Sequence, residues 1–222
     1  MTERLRRRSS GGNTVLEFAA CAGFLVPLTL GTFVTGLGMG KSIQVSTVCR
    51  DAGSLFMRNV DFSKPGNQRI LGRLAKGLGF ADSTYNPLPD GQGLIILSQV
   101  MRVGDAECRV GGFAPPYPGA CLNYGRVVFV KRISLGNQSI QRSRLGSPSS
   151  TIVNVGGDTD GSIRPSAYLT DPSAVAGGAE VDALNLQPGE TAFVSEAYFR
   201  APELEIFPNF RSGQVIQAIN LF

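Results

Sequence analysis

Residues 18–40, FAACAGFLVPLTLGTFVTGLGMG, form a run of 23 positions without one charged side chain. At 1.5 Å per residue such a run makes a helix of about 34 Å, enough to cross a hydrocarbon core of about 30 Å. A helix buried in a soluble core is the competing explanation. Core helices keep a polar face, and this run shows no charged one. Arg4, Arg6, Arg7 and Arg8 precede it, and Lys41, Arg50 and Arg58 follow it. Cationic flanks stay on the cytoplasmic side, so the four arginines place the N-terminus inside and the rest of the chain outside.

Composition sharpens this. The net charge is +4, and Arg4, Arg6, Arg7 and Arg8 against Glu3 supply +3 of it. The basic balance therefore describes the first twelve residues. No basic stripe with interleaved aromatics is present, so nucleic acid is not an expected partner.

Three kinds of targeting segment begin with basic residues and continue with apolar ones. A secretory signal has a shorter apolar region and a small-x-small cleavage site after it. Gly38-Met39-Gly40 has that form, but the run before it is too long and starts beside an acid, Glu17. A lipoprotein signal places its apolar stretch before the cysteine, whereas here the run continues past Cys21. The third arrangement cleaves before the apolar run. It fits RRRSSGG followed by NTVLEF.

On these residues the chain resembles the type IV prepilin family, in particular the TadE-like minor pilins and pseudopilins. The matching features are the basic leader, Gly12 at its end, Asn13 as the first mature residue, Glu17 at the fifth mature position, and the apolar run beginning at Phe18. The likeness covers residues 4–60 well and the remainder loosely. It implies cleavage between Gly12 and Asn13 by a prepilin peptidase on the cytoplasmic face, often with methylation of the new N-terminus. Asn13 is a less usual first residue than Phe or Met, although polar residues do occur there in TadE-like proteins.

Physical chemistry gives Glu17 a reason. A carboxylate at a bilayer edge costs up to about 2.5–3.5 kcal/mol and needs a partner. Cleavage after Gly12 creates an ammonium at Asn13, one helical turn from Glu17 and on the same face. The pair can form within one chain or between chains, where it would set the axial register of an assembly. A carboxylate simply hydrated at the headgroup boundary is the alternative. Pro27 is tolerated within a membrane helix. Gly36 and Gly40 form a G-x3-G pair that permits close helix approach.

Beyond the run, Val45, Val48, Ala52, Leu55 and Phe56 recur at helical spacing, so the helix is expected to continue to Val60 as an amphipathic half, with Gly53 as its weak point. Unbroken from Asn13 to Val60 it would extend about 72 Å. Ser63-Lys64-Pro65-Gly66 reads as a breaker. Asn67–Leu78 reads as a short helix with Ile70, Leu71, Leu74 and Leu78 on one side, ended by Gly79. Residues 86–93 read as a loop. Leu94–Val103, Arg126–Ser134, Thr191–Arg200 and Gln214–Phe222 read as strands. The stretch FVSEAYFRAP also resembles a late strand of TadE-like proteins. Residues 136–189, rich in Ser, Gly, Asn and Asp, read as a long loop insertion with extra strand near Ser150–Val155.

The expected fold is α+β: a long N-terminal transmembrane and amphipathic helix packed on a small antiparallel sheet, in the manner of a pilin. The expected organisation is a leader at 1–12, the helical segment at 13–62 and an extracytoplasmic head at 63–222.

Catalytic chemistry finds little purchase. The chain has no histidine, which excludes Ser–His–Asp and Cys–His nucleophilic sites. No Walker loop or dinucleotide fingerprint occurs. Gly157-Asp158-Thr159-Asp160-Gly161 hints at a calcium loop but lacks the closing bidentate glutamate, and reads as a turn. Glu196, Glu203 and Glu205 read as charged strand edges. No catalytic residue, cofactor or metal is expected. Cys108 and Cys121 bracket a Pro/Gly-rich loop outside the membrane, where a disulfide worth roughly 3 kcal/mol competes with two free thiols. Cys21 reads as a small apolar residue, and Cys49 leaves an intermolecular bridge open.

The expected function is structural: a pilin-like subunit assembled by helix packing, with the prepilin peptidase, the inner membrane and other pilin subunits or further copies of itself as partners. The alternative is an unprocessed bitopic protein with an extracytoplasmic binding domain.

Overall fold

The computed structural model describes residues 11–117, 119–153, 161–201 and 215–222, with the backbone alone at 11–13. The leader residues 1–10, most of the calcium-like turn at 157–161, and Glu203 and Glu205 lie outside the described residues. The chain divides into two compact units, Met1–Gly40 and Lys41–Phe222.

Helix α1 runs from Gly11 to Met57 with Pro27 inside it. In the first unit its apolar side chains point outward, with Leu16, Phe18, Phe24 and Phe33 all exposed. The polar atoms among them are satisfied locally. Thr29 donates to the Leu25 carbonyl at 2.9 Å, Thr32 to that of Thr29 at 2.9 Å, and Thr35 to that of Gly31 at 2.8 Å. Such back-bonding lets threonine sit in an apolar helix without an orphan donor.

In the second unit α1 becomes one-sided. Val45, Val48, Cys49, Ala52 and Phe56 are buried against a four-stranded antiparallel sheet. The sheet order is β2-β1-β3-β4, with β1 at Gly93–Arg102, β2 at Val127–Gly136, β3 at Thr191–Arg200 and β4 at Val215–Leu221. The α+β class expected from the sequence is therefore the architecture of the molecule.

Strand alternation gives each face of the sheet its own core. Ile95 and Leu97 of β1, Ala197 and Phe199 of β3, and Ile133 and Leu135 of β2 meet α1 and helix α2 (Pro65–Leu74). Val100, Ala192 and Val194 face the opposite way, beneath helix α3 (Asp105–Val110) and the 136–189 segment. Burying a large side chain such as Phe56, Phe62 or Phe199 contributes about 1.5–3 kcal/mol each. Between β1 and β2 the register slips after Gln99, so that Gln99 and Val100 of β1 pair with Lys131 and Phe129 of β2. Val130, left over by this bulge, turns its carbonyl to the Ile163 amide at 2.8 Å.

Several local expectations need correction. Helix α1 stops at Met57, short of Val60, because Asn59 adopts a left-handed conformation (φ 60°) and the Val60 amide folds back to the Leu55 carbonyl at 3.1 Å. Pro65 does not break a helix but begins α2, as suits a residue with no amide to leave unpaired. That helix ends at Leu74, with Ile70 and Leu74 partly exposed and Leu71, Ala75 and Leu78 inside. The 136–189 insertion forms a second layer: helix α4 (Pro165–Thr170), a 3-10 turn (Pro172–Ala174) and helix α5 (Ala179–Leu184) bury Leu169, Ala174 and Val181. Of the strand expected near Ser150–Val155, residues 154 and 155 lie outside the described residues, and Val153 makes a single bridge, to Ile163.

Gly53 is not a weak point but a fitted one. A Cβ there would lie 2.3 Å from the Phe222 ring and 3.0 Å from Ser195 Cβ. Glycine lets α1 approach β3 and β4 this closely.

Candidate functional site

The sequence singled out the start of α1. Backbone geometry puts Gly12, Asn13 and Glu17 in one continuous helix, with Asn13 and Glu17 one turn apart. Glu17 is exposed between Leu16 and Phe18, and among the described residues it has no ion-pair partner. The side chain of Asn13 lies outside the described residues. Helix α1 is long and apolar enough to cross a membrane, with mean hydropathy 1.8 in its apolar window and none of that window buried. Gly36 and Gly40 have no atom within 4 Å of a built Cβ, so their face of the helix is open.

The junction between α1 and the sheet is polar at its centre. Ser195 Oγ donates to the Cys49 carbonyl at 2.8 Å, and the Cys49 thiol donates to the carbonyls of Ser195 at 3.1 Å and Ala218 at 3.3 Å. Cys49 is fully buried, so the intermolecular bridge left open by the sequence is closed off by packing. Burial pushes its thiol pKa up. Cys21 is exposed on the apolar half.

Cys108 and Cys121 are joined as a disulfide, with Cα atoms 5.9 Å apart. The bond ties α3 to the loop that carries Asn123. Asn123 Nδ2 in turn donates to the carbonyls of Tyr168 at 2.9 Å and Asp171 at 2.8 Å, closing the end of α4. Beside this clamp lies a groove of about 340 Å³ lined by Met101, Val110, Pro165 and Tyr168, among others. Among the described residues no three His, Cys, Asp or Glu side chains converge as a metal site.

Glu196 is the residue that sequence reasoning misjudged. It is not at a charged edge; it is fully buried on β3. Its carboxylate accepts from Ser143 Oγ at 2.5 Å, the Arg144 amide at 3.0 Å and the Tyr198 hydroxyl at 2.8 Å. Burial, and then the bond to Glu196, push the Tyr198 phenol pKa up. These bonds pin the second layer to the sheet. The one sequence signal was alternation, since Glu196 shares its face with Ala192, Val194 and Tyr198. Two of its three partners, Ser143 and Arg144, lie about fifty residues away and leave no local mark.

Compared with models of known protein families, with curated proteins and with solved structures, the chain matches none.

Proposed function

We propose that the chain is a structural, pilin-like subunit of the TadE-like kind. A prepilin peptidase removes residues 1–12 at the cytoplasmic face. The apolar half of α1 holds the protein in the inner membrane and later packs against other pilin subunits or copies of itself, and the α+β head stands outside the cytoplasm. The observation that supports this reading is the two-part nature of α1. One half is exposed and uncharged behind a carboxylate at the Gly12-x4-Glu17 spacing, and the other is the buried helix of an antiparallel sheet. The role is structural, not enzymatic, and its chemistry is the pairing of the Asn13 ammonium with Glu17.

Glu17→Ala tests it. The variant is expected to be cleaved after Gly12, as read by the mass of the mature N-terminus, yet to be absent from sheared surface filaments. Incorporation at the unsubstituted level would remove the register role of Glu17. A membrane-extracted chain that still starts at Met1 or Thr2 would favour the alternative, an unprocessed bitopic protein with a binding head.

A further inference from the structure

Helices α2 and α3 lie on opposite faces of the sheet. Leu71 of α2 packs with Leu97 and Phe199, while Cys108 of α3 packs with Val100 and Val194. Each helix also presents an apolar strip flanked by charge, and the two flanks have opposite signs.

On α3, Val110 is 89% exposed and lines the groove of about 340 Å³ together with Met101 and Tyr168. A second groove of about 600 Å³ also borders α3. Asp105, Glu107 and Glu190 line it, and no lysine or arginine does. The grooves share Ala106 and Glu107, so they form one surface, apolar in one part and acidic in the other. Their carboxylates meet neutral groups. Glu107 accepts from the Gly104 amide, Glu190 from the Gln187 amide, and Asp105 meets the Tyr124 hydroxyl. Arg109, the cation within α3, lines neither groove.

Helix α2 is the counterpart. Ile70 and Leu74 are each 39% exposed, and Arg69, Arg73 and Lys76 are exposed around them. Arg69 donates to Asn86 Oδ1 and Arg73 lies over the Tyr85 ring, both uncharged partners. Asp82, in the following turn, is taken up by Thr84 and Asn86.

We propose that the α2 face of one copy docks on the α3 surface of the next. Ile70 and Leu74 meet Met101 and Val110, and the α2 cations meet Asp105 and Glu190. The two patches differ and sit on opposite faces of one sheet, so the contact is heterologous. Such contacts propagate from copy to copy unless the rotation closes a ring. The proposal rests on the structural-subunit reading for its partner, a second copy of this chain, and names the head surfaces that join.

The test uses the full-length protein in lipid vesicles, mixed from isotope-labelled and unlabelled copies and treated with a carbodiimide that couples carboxylates to amines. The expected product is a ladder of oligomers containing an intermolecular peptide that joins Lys76 to Asp105 or Glu190. Reversing α2 (Arg69→Glu, Arg73→Glu) or reversing α3 (Asp105→Lys), with Lys76 and Glu190 kept as the coupling pair, should each lower the yield about tenfold, because like charges then face each other. Mixing the two reversed proteins should restore it, which also shows that both fold. Unchanged yields in the reversed proteins, or no restoration between two variants with native near-ultraviolet dichroism, would overturn the contact. An unprocessed chain that still gives the Lys76 cross-link would uphold the contact and remove the pilin reading. A processed, filament-forming chain without it would do the opposite.

Discussion

Phe33 and Phe56 belong to one helix, yet Phe33 is 65% exposed and Phe56 only 3%. The same contrast separates Gly36, with open space around it, from Gly53, which touches Phe222 and Ser195. The difference lies in what the neighbouring chain supplies. Residues 41–57 have a sheet to bury a stripe against, so their sequence carries a stripe. Among the described residues, 14–40 have no such layer in their own unit, and their apolar side chains are largely exposed. Exposed apolar area on this scale has to be covered by lipid or by another protein. The first half of α1 is thus written for surroundings outside the chain, and the second for the fold.

Substitutions matched across the two halves test this contrast. The largest expected effect is at Phe56: Phe56→Ala should lower the unfolding free energy of the head by about 3–5 kcal/mol in a denaturant titration. Phe33→Ala should leave that titration unchanged. Equal losses at both sites would mean that the halves share one core. Next comes Leu25→Arg, which puts a charge into the apolar half at a cost of about 2.5–3.5 kcal/mol to membrane insertion. Carbonate extraction should release that variant from membranes while the head keeps its native dichroism. Gly53→Ala forces a methyl against the Phe222 ring and should destabilise the head by about 1–3 kcal/mol. Gly36→Ala, made in open space, should not move the denaturation midpoint. The smallest effect is chemical. Burial holds the Cys49 thiol pKa above its ordinary value. The thiolate therefore forms at higher pH in the folded chain, and alkylation should set in at higher pH than for the same cysteine in denaturant. Coincident pH profiles would show that the α1–sheet junction is open.

What could be read from the sequence follows the same division. Periodicity needs several turns to declare itself, and Val45, Val48, Ala52 and Phe56 supplied them. β3 was placed at Thr191–Arg200 to the residue because the β-prone Thr191, Phe193, Val194, Tyr198 and Phe199 fall between Pro188-Gly189 and Pro202. Helices α3, α4 and α5, of six residues each, are too short for a repeat to register. They were hidden in what looked like loop. Pro65 was misread because proline at a first helical position and proline as a breaker look alike without the helix beside them. Glu196 was misread for a related reason: a buried charge is legible only through its partners, and Ser143 and Arg144 come to it through the fold. At the start of α1, Gly12, Asn13 and Glu17 stand out by a spacing set between a basic leader and an uncharged run, and Asn13 and Glu17 lie one turn apart on the helix.

The central claim is that Glu17 faces a new ammonium made by removing the leader. The mass of the N-terminal peptide of the protein extracted from its own membrane tests this directly. A mature chain beginning at Asn13, with or without a methyl group, is the predicted result. A chain that begins at Met1 or Thr2 would contradict the account, leaving Glu17 without its cation and the apolar half of α1 as a plain anchor.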